Sequence, residues 1–380
     1  MKTLSQSVSV EEKKPFPKVY ELTNIAKNIL NQRYFINEEE DWESLCRRVV
    51  NYVCTEERFD EEEKELLFDI IYGLYALPNS PCLVNAGKED SGLSACFVVD
   101  FKDTLEEIYK TKLEFALVAK KGGGCGTTLT KLRPKNSIVN GSTHGYAGGP
   151  VDFYDTICKE MEVLTQAGFR KMAMMGTMSI YHPDILRFLY AKYHEGKMTT
   201  TNLSITVDDK FMDTINQESS IVHVVKHKKW GEGYLVLDKE EGKYYPKLLE
   251  DVKENDILLT SDELFEMITD NMWRNGEPGI IFYNRVNNSP YKHTNQEIKA
   301  CNVCGEQPLP PNGSCNLMSI DISKFLTEDN TIDLLKLELV TRYVVRFLDS
   351  VIDVNSFPTK EMRKWADENR AIGVGIMSYA

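Results

Sequence analysis

The chain has 380 residues, of which 42% are hydrophobic and 27% charged. These are globular values, with length enough for one large domain or two or three small ones. A formal net charge of −13 excludes a surface built to wrap DNA or RNA, which needs surplus Lys and Arg, but leaves room for a local basic patch that holds a nucleotide.

No run of 18 apolar residues occurs, and residues 1–20 read as a polar, charged arm, so neither a membrane span nor a signal peptide is expected. Nine scattered cysteines, an odd number, fit a reducing, cytoplasmic setting better than a disulfide scaffold. Apolar spacing then predicts helices at 21–31 (Leu22, Ile25, Ala26, Ile29, Leu30), 41–54 (Trp42, Leu45, Val49, Val50, Val53) and 61–76 (Leu66, Leu67, Ile70, Ile71, Leu74, Tyr75). The prolines at 78 and 81 end the last of them. Residues 1–77 are therefore expected to form a helical N-terminal region, with Cys46 and Cys54 as small buried hydrophobes.

From residue 78 the rhythm becomes α/β. The stretch 93–100 ends in an apolar run suited to a buried strand, and 103–120 reads as a helix that starts in acids and ends in lysines, as its dipole prefers. The glycine-rich 122–126 lacks both the Gly-Lys-Ser/Thr ending of a P-loop and the spacing of a dinucleotide fingerprint. Tight turns are the plainer reading and close approach to a ligand the sharper one. A strand is expected at 127–132, a loop at 136–150, a helix near 151–165, a basic, Met-rich segment at 168–176, a short helix after Pro183 and a strand at 201–207. The hydrophilic 213–260 reads as a solvated excursion. A helix at 262–273, a turn at 276–279, a strand at 280–283, a polar loop at 284–296 and a helix at 333–352 follow. Residues 372–380 look like the beginning of a buried strand.

The chemistry concentrates at 300–317, where Cys301, Cys304, Glu306 and Cys315 fall in a segment too rich in Pro and Gly for a long helix. Cys301 and Cys304 have the spacing of half a zinc site, but closure needs two more ligands, and His293 is the only histidine nearby. A thioredoxin-like exchange pair belongs at a helix start after a strand, whereas these cysteines precede Gly305 and a run of prolines. The third reading is a thiol that reacts by one-electron chemistry. Asn302 and Glu306 flank Cys304 symmetrically, so that in an extended or tightly looped backbone their side chains can share its side. All three readings stay open on the local pattern.

The text Asn302-Val303-Cys304-Gly305-Glu306-Gln307-Pro308-Leu309-Pro310, with Ser314-Cys315-Asn316-Leu317, closely resembles the finger loop and following strand of the ribonucleotide reductase large subunit, most of all the class II, adenosylcobalamin-dependent branch. Matches in the same order include Asn79-Ser80-Pro81, Ser94-Ala95-Cys96, Leu132-Arg133-Pro134, Ala173-Met174-Met175-Gly176, His182-Pro183-Asp184-Ile185 and Gly279-Ile280-Ile281-Phe282. The resemblance implies an α/β fold, in which the helical N-terminal region is followed over 78–380 by an incomplete ten-stranded reductase barrel with the radical cysteine on a finger loop. It implies thiyl-radical reduction of ribonucleoside di- or triphosphates to 2′-deoxyribonucleotides, with oxidation of a cysteine pair. By this resemblance Cys304 carries the radical, Glu306 is the base for the 3′-hydroxyl, Asn302 supports the substrate hydroxyls and Glu306, and Cys96 and Cys315 are the reducing pair. Ser80 and Ala95 match positions beside the substrate. Asp103, Arg133 and Arg170 match a specificity site for a deoxynucleoside triphosphate or ATP, with 168–175 as the relay loop.

The same resemblance implies adenosylcobalamin, an external dithiol of thioredoxin or glutaredoxin type and a homodimer; with the barrel expected to be incomplete, the chain reads as a fragment, a shortened chain, or a split-gene half joined by a complementary C-terminal half. The alternatives are a class I large subunit served by a separate radical-generating subunit, or a catalytically incomplete nucleotide-binding half. The sequence departs from the family at Cys82, where Thr is usual, and at Cys125 in the glycine-rich turn; both are expected to be packing residues. Cys301 adjoins the radical position and is the one extra thiol placed to perturb it. The N-terminal ATP-cone of many members is not expected, because family-like text begins by about residue 20.

Overall fold

A computed structural model describes residue 16 and residues 22–36, 41–90, 92–139, 145–166, 170–290, 292 and 294–379, without the side chains of 165, 166, 170 and 171. The expected N-terminal arm lies, Phe16 apart, outside the described residues, as does His293. The chain forms two compact units, one of residues 1–93, 316–355 and 372–380, the other of 94–315 and 356–371.

The first unit is built on helices Asn24–Arg33, Trp42–Val53, Glu61–Tyr72 and Leu334–Val354. Leu45, Val49, Val53, Leu67, Ile70 and Ile71 pack in one core with Val340, Val344, Phe347 and Val351. Burying a side chain of this size stabilises the fold by about 1.5–3 kcal/mol. Asp60 and Glu63 form a capping box at the start of Glu61–Tyr72, satisfying two N–H groups that the helix itself leaves open. That helix stops short of the expected residue 76, because Leu74 takes a left-handed φ of 59° and the chain turns into the strand Ala76–Pro78. The strand Ser314–Asp321 pairs antiparallel with Ala76–Pro78 and parallel with Ile372–Met377. The expected first helix forms, but Ile25 and Ile29 are exposed and only Leu30 is buried; periodicity marks an apolar face without saying whether anything covers it.

The second unit is an α/β wall. Strands Cys96–Val98, Gly124–Thr128, Met174–Ser179, Thr201–Val207 and Gly279–Phe282 lie side by side in chain order, all parallel. Ser314 and Cys315 add an antiparallel contact at the Cys96 edge. Consecutive order without reversal is how a barrel wall is laid down, whereas a doubly wound sheet reverses direction at its switch point. Helix Leu105–Lys120 is capped by Thr104 and begins with Glu106 and Glu107; its Ile108, Phe115, Val118 and Ala119 face the core. Leu105 and Leu113, expected on that face, are exposed.

Four local expectations change. The glycine-rich stretch is itself a wall strand, Gly124–Thr128, and 129–132 leaves the sheet. The hydrophilic 213–260 contains an antiparallel sheet of Val224–His227, Gly231–Asp238 and Lys243–Leu248. The polar loop at 284–296 begins in the helix Tyr283–Asn288. An unexpected helix, Lys360–Asn369, buries only Met362, Trp365 and Ala366.

Candidate active site

Residues Ala300–Cys301 and Pro308–Leu309 pair antiparallel, Ala300 opposite Leu309 and Cys301 opposite Pro308, making a hairpin whose tip is 302–307. Asn302 closes that tip three ways: its N–H donates to the Gln307 carbonyl (3.0 Å), its carbonyl accepts from Gly305 N (3.3 Å), and its side-chain oxygen accepts from Gln307 N (3.0 Å). Gly305 supplies the left-handed φ of 86° that the reversal needs. The turn therefore cancels simple alternation. Asn302 is fully buried while Cys304 stands exposed at the tip, the one exposed thiol of the nine.

The hairpin is seated on the wall by backbone proximity. A Cβ at Gly126 would lie 1.7 Å from the Cys301 carbonyl oxygen, and one at Gly124 would lie 2.5 Å from Val303 Cγ2. These two glycines are thus required for the approach of the protein's own finger. Asn202 Nδ2 donates to the Val303 carbonyl (2.9 Å), Thr177 Oγ1 to that of Lys299 (3.1 Å), and Asn287 bonds both backbone groups of Ile298 (2.7 and 2.9 Å). Sequence reasoning missed Asn202, Thr177 and Asn287, and read the glycine stretch first as tight turns and second as a ligand contact; the i, i+2 spacing of Gly124 and Gly126, one face of a strand, was the available signal.

Three expected site residues then meet at the buried end of the turn. Asn302 Nδ2 donates to Cys96 Sγ at 3.1 Å and also to Glu306 Oε1. Cys315 is the direct antiparallel partner of Cys96, and in such pairs the Cα atoms lie about 4.5–5.5 Å apart, within the range a disulfide spans. Burial first, then the nearby Cys96 and Glu306, push the Cys315 thiol up, so it holds its proton. Burial likewise raises Cys301 to about 12 and Cys82 to about 12; both are packed thiols, as is Cys125. Ala95 precedes the pair, its carbonyl accepting from Gly124 N at 2.8 Å. Ser80 lies in the other unit at the start of helix Ser80–Asn85, its hydroxyl 2.8 Å from that of Tyr34.

Asp103 and Arg133 come together elsewhere in the second unit. Arg133 donates from Nε to Asp103 Oδ2 (2.9 Å) and from its backbone to Oδ1 (3.1 Å), and Lys229 Nζ stands 2.8 Å from Oδ2. Burial pushes the Asp103 carboxyl up, but Lys229 and Arg133 outweigh it and hold it below the ordinary range. Arg170 is described by its backbone alone, in the two-residue strand Arg170–Lys171 paired with Thr165–Gln166; residues 168 and 169 of the expected relay loop lie outside the described residues.

A wall of consecutive parallel strands with a thiol-tipped finger and a cross-strand cysteine pair is the α/β-barrel arrangement that the sequence resemblance implies. Comparison with known proteins agrees. Residues 94–380 match the family model described as "Ribonucleotide reductase, barrel domain" and residues 20–91 that described as "Ribonucleotide reductase, all-alpha domain". The chain belongs to the ribonucleotide reductase large-subunit family. It is 36% identical over 314 residues to the vitamin B12-dependent ribonucleoside-diphosphate reductase of Thermoplasma acidophilum, covering 82% of this chain and 38% of that one. It is 30% identical over 370 residues to the protein of the same name from Mycobacterium tuberculosis, covering 94% and 50%. The ribonucleoside-diphosphate reductase large chain of Neurospora crassa is 29% identical over 315 residues, with 79% and 33% covered. The chain thus spans half or less of the length of these relatives. Among the described residues no helix is long and apolar enough to cross a membrane.

Proposed function

We propose that this chain supplies the thiol chemistry of a vitamin B12-dependent ribonucleotide reductase acting on ribonucleoside di- or triphosphates. The observation that carries the reading is the Asn302 amide, which ties Glu306 on the finger to Cys96 of the cross-strand pair with Cys315. Adenosylcobalamin, when bound, supplies the radical that oxidises the Cys304 thiol; the exposure of Cys304 fits a thiol that must be reached from outside, and no residue here is assigned to holding the corrin.

The Cys304 thiyl takes hydrogen from C3′ of the ribose and becomes a thiol. Glu306 accepts the 3′-hydroxyl proton, and Asn302 holds that carboxylate in place. The 2′-hydroxyl leaves as water with a proton from the Cys96/Cys315 pair, whose two thiols lose two protons and two electrons and close a disulfide while C2′ gains hydrogen. Cys304 returns its hydrogen to C3′ and is a thiyl again, while Glu306 gives its proton back to the 3′-oxygen. An external thioredoxin- or glutaredoxin-like dithiol then reduces the disulfide. Ser80 and Ala95 flank the substrate, and Asp103, Arg133 and Arg170 hold a deoxynucleoside triphosphate or ATP effector at a homodimer interface. The exposed stripe Leu105, Tyr109 and Leu113, at helical i, i+4 intervals, supports that interface. The setting is cytoplasmic.

Turnover tests this. The chain is assayed alone and with a polypeptide supplying the remaining length of the relatives, in the presence of adenosylcobalamin, ribonucleotide, effector and dithiol. Deoxyribonucleotide formation that stops with Cys304→Ser is expected. Turnover only with a separate radical-generating subunit assigns the chain to the class I arrangement, and none under either condition leaves a nucleotide-binding half.

A further inference from the structure

The acidic chain gathers cations around one carboxylate. Asp103, whose side chain is 12% exposed, accepts from Arg133 and Lys229 together, so one negative charge faces two positive ones. Lys131 is neutralised by Asp100, and the exposed Lys228, next in sequence to Lys229, carries a further positive charge. The two cations on Asp103 are held differently. The Arg133 fork is anchored by its Nε on the carboxylate and more loosely by Nη2 on the Asp103 carbonyl and Nη1 on the Ile138 carbonyl, the last two at 3.4 Å, which leaves donors for a ligand. Lys229, 46% exposed, reaches in from solvent at the turn between strands Val224–His227 and Gly231–Asp238. Its ammonium also touches the Asp103 carbonyl at 3.1 Å.

The base of that turn is fixed. His227 Nδ1 accepts from Lys229 N (3.2 Å), which leaves its other nitrogen to donate to the Lys131 carbonyl (3.2 Å). A fixed turn thus carries one long, half-exposed cation beside an arginine–aspartate pair that is already balanced, so Lys229 is the surplus positive charge there. A lysine that keeps much of its side chain in solvent gives up little on changing partner, and an ammonium is a point charge suited to phosphate oxygens from several directions.

We propose that Lys229 is a further ligand-contact residue of the effector site. When a nucleoside triphosphate binds, the Lys229 ammonium exchanges the Asp103 carboxylate for the polyphosphate, freeing that carboxylate to accept from a sugar hydroxyl. The proposal rests on the effector reading of Asp103 and Arg133, and it draws the stretch 213–260 into nucleotide binding.

Calorimetric titration of the full chain with dATP, dGTP and dTTP, at low and high salt, tests it. Wild type is expected to bind at least one of these and Arg133→Gln to bind it far more weakly. Lys229→Gln is expected to weaken binding about tenfold, the loss of one charge-assisted hydrogen bond, and to flatten the salt dependence. Lys229→Arg is expected to stay near wild type. Unchanged or tighter binding by Lys229→Gln, with Arg133→Gln still weakened, overturns the role of Lys229 alone. No binding by wild type overturns the effector reading, and this inference with it.

Discussion

Asn302 does most to turn separate residues into a site. Its oxygen and backbone hold the finger tip closed, while its amide hydrogens join Cys96 to Glu306. Asn302→Asp separates these duties, because the isosteric carboxylate still accepts from Gln307 N, loses both donors and sets a negative charge against Glu306. The hairpin should fold and turnover by the completed enzyme should fall on the order of a hundredfold, the scale of a misplaced acid or base. Turnover within a few-fold of wild type would mean that the bridge has no catalytic part. The roles given to Cys304, Glu306 and the two cysteines were legible only through the resemblance, since local spacing left zinc, dithiol and radical chemistry standing together. What no spacing could show is that Cys315 is registered on Cys96, because that depends on how distant strands pair. Lys229 escaped notice for another reason: it sits in text that reads as a solvated surface.

At the scale of elements, the finger depends on strand Gly124–Thr128 lacking side chains where the hairpin crosses it. Gly126→Ala drives a Cβ into the Cys301 backbone, an overpacked contact with no flexible side chain to yield. Chemical denaturation should show a loss of about 1–3 kcal/mol, with altered alkylation of Cys304; a neutral result would show that the hairpin can stand further off. The buried histidines give a second prediction. His182 bridges loops, its Nδ1 accepting from Asp184 N (3.0 Å) and its Nε2 donating to the Leu132 carbonyl (2.9 Å), and His223 Nε2 meets the Ile180 carbonyl at 3.0 Å. Burial lowers both to about 4. Between that value and about 6.5 the unfolded chain binds protons that the folded chain refuses, so stability is lost as pH falls through this window. The buried Asp184, pushed up by burial, works in the opposite sense. His182→Gln should show a shallower decline of the unfolding midpoint from pH 6.5 to 4; an identical slope would remove His182 as a source. Strand Thr201–Val207 was readable to the residue from its apolar and β-branched run, whereas Gly124–Thr128 was not, since glycines signal turns unless the partner that needs them is known. Helix Lys360–Asn369 went unread because Met362, Trp365 and Ala366 are too few to make a period.

At the scale of the molecule, the two units answer different physical demands. One buries helical faces in a common core; the other lays down parallel strands in order and brings the finger and the cysteine pair together within residues 94–315. Helix positions in the first and the α/β rhythm of the second followed from periodicity, but the division of Ser314–Asp321 between them did not, since a strand carries no mark of the sheet contacts on either side. In the proposed function Cys304 initiates a reaction whose electrons come from Cys96 and Cys315. The direct measurement is a single turnover by the completed, prereduced enzyme with ribonucleotide and no external dithiol, followed by mass-spectrometric mapping of disulfides against deoxyribonucleotide formed. One Cys96–Cys315 disulfide per product is expected, and neither disulfide nor product with Cys304→Ser. Product formed by Cys304→Ser, or product formed while Cys96 and Cys315 stay reduced, would contradict it.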